Sequence, residues 1–280
     1  MAVTFQRVLA RTPLHLFFVV VGVLWIVPTL GLLITSLRPV DLFSISGWWT
    51  AFQHPAQFTS TNFQNLFKDP LMARGLVNSL LIAVPATVIP ILVATLAAYA
   101  STFLAFRGRD VLLLVVVGLM VVPVQMALIP VSSLYGLVGL RGIPAIVLFH
   151  TAFAIPYATF LFRNFFLGIP GELLESARVD GAGDLRIFVT MILPLGLPAI
   201  ASFAVFQFLW VWNDLLVALV YSDANSKPVT VAIFENLRSF GSSVDVISAG
   251  SFVSLLVPLL LFFLFQRYFV QGLLAGSVKG

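Results

Sequence analysis

Six long apolar segments, almost free of Asp, Glu, Lys and Arg, restrict the possible folds of this chain more than any other feature of its sequence. Each has about the twenty residues that an α-helix needs to cross roughly 30 Å of hydrocarbon. The segments lie at 13–36, 76–103, 111–135, 143–162, 197–220 and 247–266. Only 9% of the residues are charged, whereas soluble domains have about 25%. The sequence therefore predicts an all-α membrane protein with six transmembrane helices, because a β-barrel would show short segments of alternating polarity.

The distribution of Lys and Arg predicts the orientation in the membrane. Nine of these residues fall on the side of the two termini and six fall in the longer opposite loops. We therefore expect both termini to be cytoplasmic. The first apolar segment is longer than the core of a signal peptide, which has about 7–15 residues, so we expect it to remain as the first span.

Several classes of chemistry are excluded by residues or motifs that the sequence lacks. The absence of cysteine excludes disulfides, thiolate metal sites and cysteine nucleophiles. His15, His54 and His150 lack the spacing of metal ligands, so we expect interfacial or packed histidines. No phosphate-binding loop, G-x-S-x-G or H-E-x-x-H motif occurs. The net charge of +4 follows from the membrane-flanking basic residues, so we expect neither a nucleic-acid partner nor a cofactor or metal bound by this chain.

The loops organise the chain as one transmembrane domain, 1–280, with expected external loops at 38–74 and 221–246 and an expected cytoplasmic loop at 163–196. In the first external loop, Phe63, Leu66 and Phe67 have the spacing of a short interfacial amphipathic helix. The short turn around Gly108 predicts that spans two and three form an antiparallel hairpin.

Prolines recur inside the apolar segments, at Pro28, Pro85, Pro90, Pro123, Pro130 and Pro156. Each removes a backbone donor and can kink its helix, and the carbonyl that it frees needs another donor at membrane depth. Bent helices around a cavity and ordinary kinks in a packed bundle both agree with this pattern.

The cytoplasmic loop predicts a helix that starts near Pro170. Glu172 and Glu175 then lie near the positive end of the helix dipole. We expect Leu173, Leu174 and Ala177 to share one face of this helix. Small apolar residues flanked by carboxylates would form the surface of the loop.

A second helix is predicted after a glycine break. Gly181 is placed to end the first helix in a left-handed conformation, and Asp184 is placed to cap the second. Leu185, Phe188 and Ile192 have helical spacing, and Pro194 is expected to stop that helix before span five. The segment therefore predicts a compact helix-turn-helix.

Polar residues within or beside the spans are candidates for a transport pathway. They are Asn78, Gln125, Asn213 and Asp214, and Trp210 lies next to the last two. A carboxylate and an aromatic face can together bind a sugar. The alternatives are that Asn213 and Asp214 cap or cross-link helices, and that Gln125 pairs with a carbonyl freed by Pro123.

The cytoplasmic loop resembles a known motif. Glu175-Ser176-Ala177, Asp180-Gly181-Ala182, Phe188 and Leu193-Pro194 are similar to the EAA motif of binding-protein-dependent ABC importer permeases, with Ser176 in place of the usual alanine. The resemblance implies a type I ABC importer permease fold in the inner membrane of a prokaryote. It also implies that the ATPase-coupling residues are Glu172, Leu173, Glu175, Ser176, Ala177, Arg178, Asp180, Gly181 and Ala182.

Further matches extend the resemblance along the whole chain and narrow it to the maltose-type, carbohydrate-uptake family. They are Asn78-Ser79, Ala97-Ala98-Tyr99-Ala100, Trp212-Asn213-Asp214, Gln266-Arg267 and Gly276-Ser277-Val278-Lys279-Gly280. The stretches at 46–50, 175–182 and 210–220 are similar to α-glucoside-type permeases.

This resemblance implies a machine with several partners. They are a second homologous permease, two ATPase subunits that use ATP and Mg, an external solute-binding protein, a sugar substrate and membrane lipids. The function expected is therefore sugar import by alternating access. The alternative is an ion-coupled carrier that uses Asp214, which would need a partner for that acid or an inverted repeat. The sequence lacks the motifs of an intramembrane hydrolase.

Overall fold

The computed structural model describes the backbone of residues 2–43, 45–238 and 244–277 and the side chains of residues 12–43, 45–237 and 244–267. The last three residues of the terminal motif and part of the loop at 221–246 thus lie outside the described residues. No strand occurs in the described ranges. Twelve α-helices follow one another there: α1 (Ala2–Ser36), α2 (Thr61–Lys68), α3 (Pro70–Phe103), α4 (Arg109–Leu119), α5 (Val124–Leu137), α6 (Ile143–Phe166), α7 (Gly171–Val179), α8 (Asp184–Ile187), α9 (Leu193–Trp212), α10 (Leu216–Tyr221), α11 (Val229–Arg238) and α12 (Val244–Ser277).

The predicted all-α membrane architecture is confirmed. Five of the described helical segments are long and apolar enough to cross a membrane, and the bent pair α4 and α5 gives a sixth if it counts as one span. The long segments are Thr12–Ser36, Pro70–Phe103, Ile143–Phe166, Asp184–Trp212 and Val244–Arg267.

The predicted third span is not a straight helix. The chain bends by 103° between its two halves, α4 and α5. The bend comes at Pro123, which precedes α5 and lacks the N–H that would continue α4. The expectation of a simple hairpin between spans two and three is therefore wrong beyond Leu119.

Pro123 also frees no carbonyl that needs a side-chain donor. The carbonyl of Leu119 accepts the backbone N–H of Val122 at 3.2 Å. Gln125 lies exposed in the first turn of α5. The suggestion that Gln125 pairs with a carbonyl freed by Pro123 is therefore wrong.

The predicted fifth span also needs correction at both ends. A π-helical turn at Phe188–Ile192 joins α8 to α9, so the helix continues past Pro194 instead of stopping there. The wider turn accommodates the missing N–H of the proline. At the other end the helix stops at Trp212, and residues 216–221 form the separate helix α10.

Pro90 shows how a freed carbonyl is satisfied inside a span. A proline removes the hydrogen bond to the carbonyl four residues earlier, which is that of Ala86. Gln207 of α9 donates its side-chain N–H to this carbonyl at 3.1 Å, and the bond is buried. The expectation that another group replaces the missing donor is thus confirmed for Pro90.

The chain divides into two compact units. One comprises residues 1–73 and 233–255, and the other comprises residues 74–232 and 256–280. In the first unit, α2 is the predicted short helix, although only Leu66 of the three apolar residues is buried. In the second unit an aromatic core around Phe162, Phe166 and Phe203 joins α6 to α9 and supports the loop at 163–196.

Candidate functional site

The loop at 163–196 is attached to the core mainly by one buried side chain of α7. Leu174 is 2% exposed and belongs to the same buried cluster as Phe166, Ile187 and Phe188. Its neighbour Leu173 is 42% exposed. The expected shared face of Leu173, Leu174 and Ala177 is thus divided: Leu174, together with the partly buried Ala177, packs α7 against the core, whereas Leu173 is exposed.

Gly181 ends α7 in the predicted conformation. Its φ is +85°, in the left-handed region that glycine adopts without steric cost. The N–H of Gly181 donates to the carbonyl of Arg178 at 3.0 Å, and that of Ala182 donates to the carbonyl of Ala177 at 2.9 Å. These two bonds form a Schellman motif, which fixes the direction in which the chain leaves α7.

Asp184 does not cap the second helix as expected. It is the first residue of α8, Gly183 occupies the cap position, and no side chain there bonds the free N–H groups. The Oδ1 atom of Asp184 instead accepts hydrogen bonds from Nη2 of Arg178 at 3.0 Å and from the hydroxyl of Tyr99 at 3.1 Å. The hydrogen bond to Asp184 raises the pKa of Arg178.

The outer face of this loop combines apolar and acidic side chains, and we call it the loop surface. Val179 is 88% exposed, and Leu173 and Leu185 are also exposed. Apolar side chains so exposed next to charged groups are typical of a protein-binding surface. The predicted coupling residues that lie exposed on it are Glu172, Leu173, Glu175, Ser176, Arg178, Asp180 and Gly181, whereas Ala177 and Ala182 pack partly against the core.

A second polar cluster lies where α9 ends and α10 begins. The Oδ2 atom of Asp214 accepts the backbone N–H of Ala218 at 3.1 Å, and its backbone carbonyl accepts the hydroxyl of Thr230 at 2.8 Å. Asn213 donates to the carbonyl of Leu209 at 2.8 Å. The structure therefore contains helix-capping contacts of Asn213 and Asp214, which were the alternative to a pathway role.

His150 belongs to the same cluster. Its side chain is fully buried, and Nε2 lies 3.7 Å from Oδ2 of Asp214. The imidazole packs edge-on against Trp210, with 4.9 Å between the ring centres. Neither ring nitrogen has a hydrogen-bond partner among the described residues. The histidine is packed, as expected, but sequence reasoning missed the neighbouring carboxylate, because α6 and the end of α9 meet only in the folded chain.

Asn78 holds the turn at residues 223–227. Its amide nitrogen donates to the carbonyls of Asn225 at 2.9 Å and Lys227 at 3.0 Å, which uses both of its hydrogens. In the same turn the carboxylate of Asp223 accepts the N–H groups of Asn225 and Ser226, and these bonds lower the pKa of Asp223. Of the predicted pathway residues, the structure brings together Trp210, Asn213 and Asp214.

No group of three or more possible metal ligands occurs in the part of the chain that the structure describes. The loop surface and the cluster at Asp214 differ in their chemistry. The loop surface can dock a protein, and the cluster at Asp214 can offer hydrogen bonds and aromatic faces to a polar solute.

The sequence profile of a known family matches residues 90–274, which include both clusters. That family is described as "Binding-protein-dependent transport system inner membrane component". The chain belongs to this family. It is accordingly a multi-pass permease of an ABC importer, and the expected family resemblance is confirmed.

Two named permeases are similar to this one over almost their whole length. It is 49% identical to the "Osmoprotective compounds uptake permease protein GgtD" of Synechocystis sp., over 96% of this chain and 92% of the relative. It is 38% identical to the "Alpha-glucoside transport system permease protein AglG" of Rhizobium meliloti, over 96% of this chain and 98% of the relative.

A solved structure shares the fold. It is a bacterial ABC transporter involved in the import of the acidic polysaccharide alginate, and the superposition has a TM-score of 0.78 at 22% identity. The match covers 92% of this chain and 97% of the other. The type I importer permease fold is thus confirmed. Membership of the family makes the protein a transport subunit, and nothing supports the alternative of an ion-coupled carrier.

Proposed function

We propose that the permease imports a di- or oligosaccharide or a related glucoside, and that the loop surface couples it to a separate ATPase. The observation that supports the coupling role is the construction of the loop. Leu174 anchors α7 in the core, while Val179 and the neighbouring carboxylates face outward. The similarity to an α-glucoside permease and to an osmoprotectant permease supports the substrate class.

The proposal includes the partners that the resemblance implies. They are a second homologous permease, two ATPase subunits that hold ATP and Mg, and an external solute-binding protein, with both termini of this chain in the cytoplasm. The sparse burial of Thr12–Ser36 supports contacts of that span with lipid or a second permease. ATP-driven closure of the ATPases would move α7 and switch the spans between two rigid arrangements.

An added negative charge in the apolar part of the loop surface is expected to release the ATPase. In Val179→Asp the new carboxylate would have to be desolvated at the interface next to Glu172 and Glu175, which carry the same charge. Because Val179 is 88% exposed, the fold of the permease should be unaffected. We expect at least a tenfold loss of ATPase in co-purification from detergent, since a buried unpaired charge costs several kcal/mol.

The matched control is Val40→Asp, an exposed valine in the loop at 38–74, on the opposite side of the membrane in the proposed topology. It should retain the ATPase fully. Equal retention by both variants would refute docking at the loop surface, and failure of the wild type to bind any ATPase would refute the proposed function.

The cluster at Asp214 is proposed to line the substrate pathway. A charged hydrogen bond contributes about 1.5–3 kcal/mol, which corresponds to roughly 10- to 100-fold in affinity. We therefore expect Asp214→Asn to raise the KM for transport by at least tenfold with little change in basal ATP hydrolysis. Asparagine can still accept the N–H of Ala218, so the helix cap is preserved.

Asp69→Asn is the control for the capping role. Asp69 accepts the backbone N–H of Met72 at the start of α3, at 2.8 Å, and so has the same structural job outside the proposed pathway. Equal KM values in the two variants would assign Asp214 to helix capping alone.

A further inference from the structure

We propose that Asp184 is a positioning residue that fastens the coupling helix α7 to the transmembrane helix α3, and so transmits ATPase motion to the spans. This inference rests on the proposed function. One carboxylate oxygen of Asp184 accepts hydrogen bonds from two elements, with Arg178 of α7 at 3.0 Å and Tyr99 of α3 at 3.1 Å. Asp184 itself begins the helix that continues into α9.

The α3 side of this linkage is rigid. Tyr99 is buried, and its ring packs against Phe103 at 5.5 Å and Phe188 at 5.4 Å between centres. Phe103 in turn stacks on Phe166 at the end of α6. Because the buried ring packs against these two aromatic side chains, the hydroxyl of Tyr99 has a fixed position, and a displacement of Asp184 acts directly on α3.

The α7 side is attached differently. Leu174 holds α7 by apolar contact, which is non-directional and tolerates small shifts. The hydrogen bonds of Asp184 are directional, so they fix where the last turn of α7 lies relative to α3. The apolar anchor thus keeps α7 on the core, and the Asp184 linkage sets its position.

The linkage adds little to the stability of the fold. The side chains of Arg178 and Asp184 are 42% and 51% exposed, and exposed ion pairs contribute little to the free energy of unfolding. Variants of Asp184 or Tyr99 should therefore fold and bind the ATPase. Their effect should appear in the coupling between the loaded binding protein and ATP hydrolysis.

The test uses the assembled transporter, permease with its ATPase, in proteoliposomes. Tyr99→Phe keeps the packed ring and removes the hydroxyl, and Asp184→Ala removes the carboxylate that accepts both hydrogen bonds. We expect both to retain the ATPase and its basal rate, but to lose at least about fivefold of the stimulation by the loaded binding protein. The double variant should lose no more than the worse single variant, because both act on one linkage.

Two controls separate this linkage from general damage. Tyr157→Phe removes a hydroxyl from a half-exposed tyrosine of α6, and Asp110→Ala removes an exposed carboxylate from the first turn of α4. Both should keep normal stimulation, and Asp184→Glu should recover part of it. Normal stimulation in Tyr99→Phe and Asp184→Ala would overturn the inference, as would loss of the bound ATPase from these variants. If the wild type binds no ATPase, the proposed function fails instead.

Discussion

Gln207→Leu is expected to lower the free energy of unfolding by about 1–3 kcal/mol, because it leaves a buried backbone carbonyl without a donor. That carbonyl belongs to Ala86 and receives the side-chain N–H of Gln207 in place of the N–H that Pro90 lacks. Leucine fills a similar volume, so the loss reports mainly the missing hydrogen bond. Thermal unfolding of the detergent-solubilised permease measures it.

A second substitution should reverse this loss. Pro90→Ala restores a backbone N–H at residue 90, which can then donate to the carbonyl of Ala86 within α3. In the Pro90→Ala background, Gln207→Leu should therefore cost much less than in the wild type. The exposed Gln64 serves as control, since Gln64→Leu should cost little in either background. Equal costs of Gln207→Leu in both backgrounds would show that the glutamine does not replace the donor lost at Pro90.

Leu174→Asp is expected to detach the coupling helix from the core. Losing a buried leucine side chain costs about 2–5 kcal/mol, and burying an unpaired carboxylate adds to that cost. Since Leu174 is the fully buried residue of α7, the loop at 163–196 should become accessible to protease. Limited proteolysis of the solubilised permease should show rapid cleavage there, with loss of the ATPase in co-purification.

The adjacent residue provides the matched control. Leu173→Asp places the same charge at a side chain that is 42% exposed, so the loop should remain as resistant to protease as in the wild type. Similar cleavage of both variants would mean that α7 is not held by its buried leucine.

The large elements of the fold could be predicted from the sequence because membrane spans depend mainly on length and composition. Their interruptions could not. The bend at Pro123 was misjudged because a proline within an apolar segment predicts a kink but not its angle, which depends on packing. The end of α9 was missed because Asp214 is satisfied by Ala218 and Thr230, and Thr230 belongs to a later helix.

In the candidate site, too, local features could be predicted from the sequence and tertiary contacts could not. The role of Gly181 at the end of α7 could be predicted because a positive φ at this position favours glycine and depends only on local structure. Asp184 was misassigned because its position fits a helix cap, while one of its actual partners, Tyr99, lies 85 residues away in sequence. The proximity of His150 to Asp214 is likewise tertiary. A histidine within a span, which is a costly place for a polar group, was the one available signal.

The bend between α4 and α5 has a consequence for biosynthesis. At 1.5 Å per residue, α4 is roughly 17 Å long and α5 roughly 21 Å long, so neither half can cross some 30 Å of hydrocarbon alone. Their packing partners, α6 for α4 and α10 for α5, leave the ribosome later. The insertion machinery must therefore hold this pair until the following helices arrive, so the integration of α4 and α5 depends on later parts of the chain.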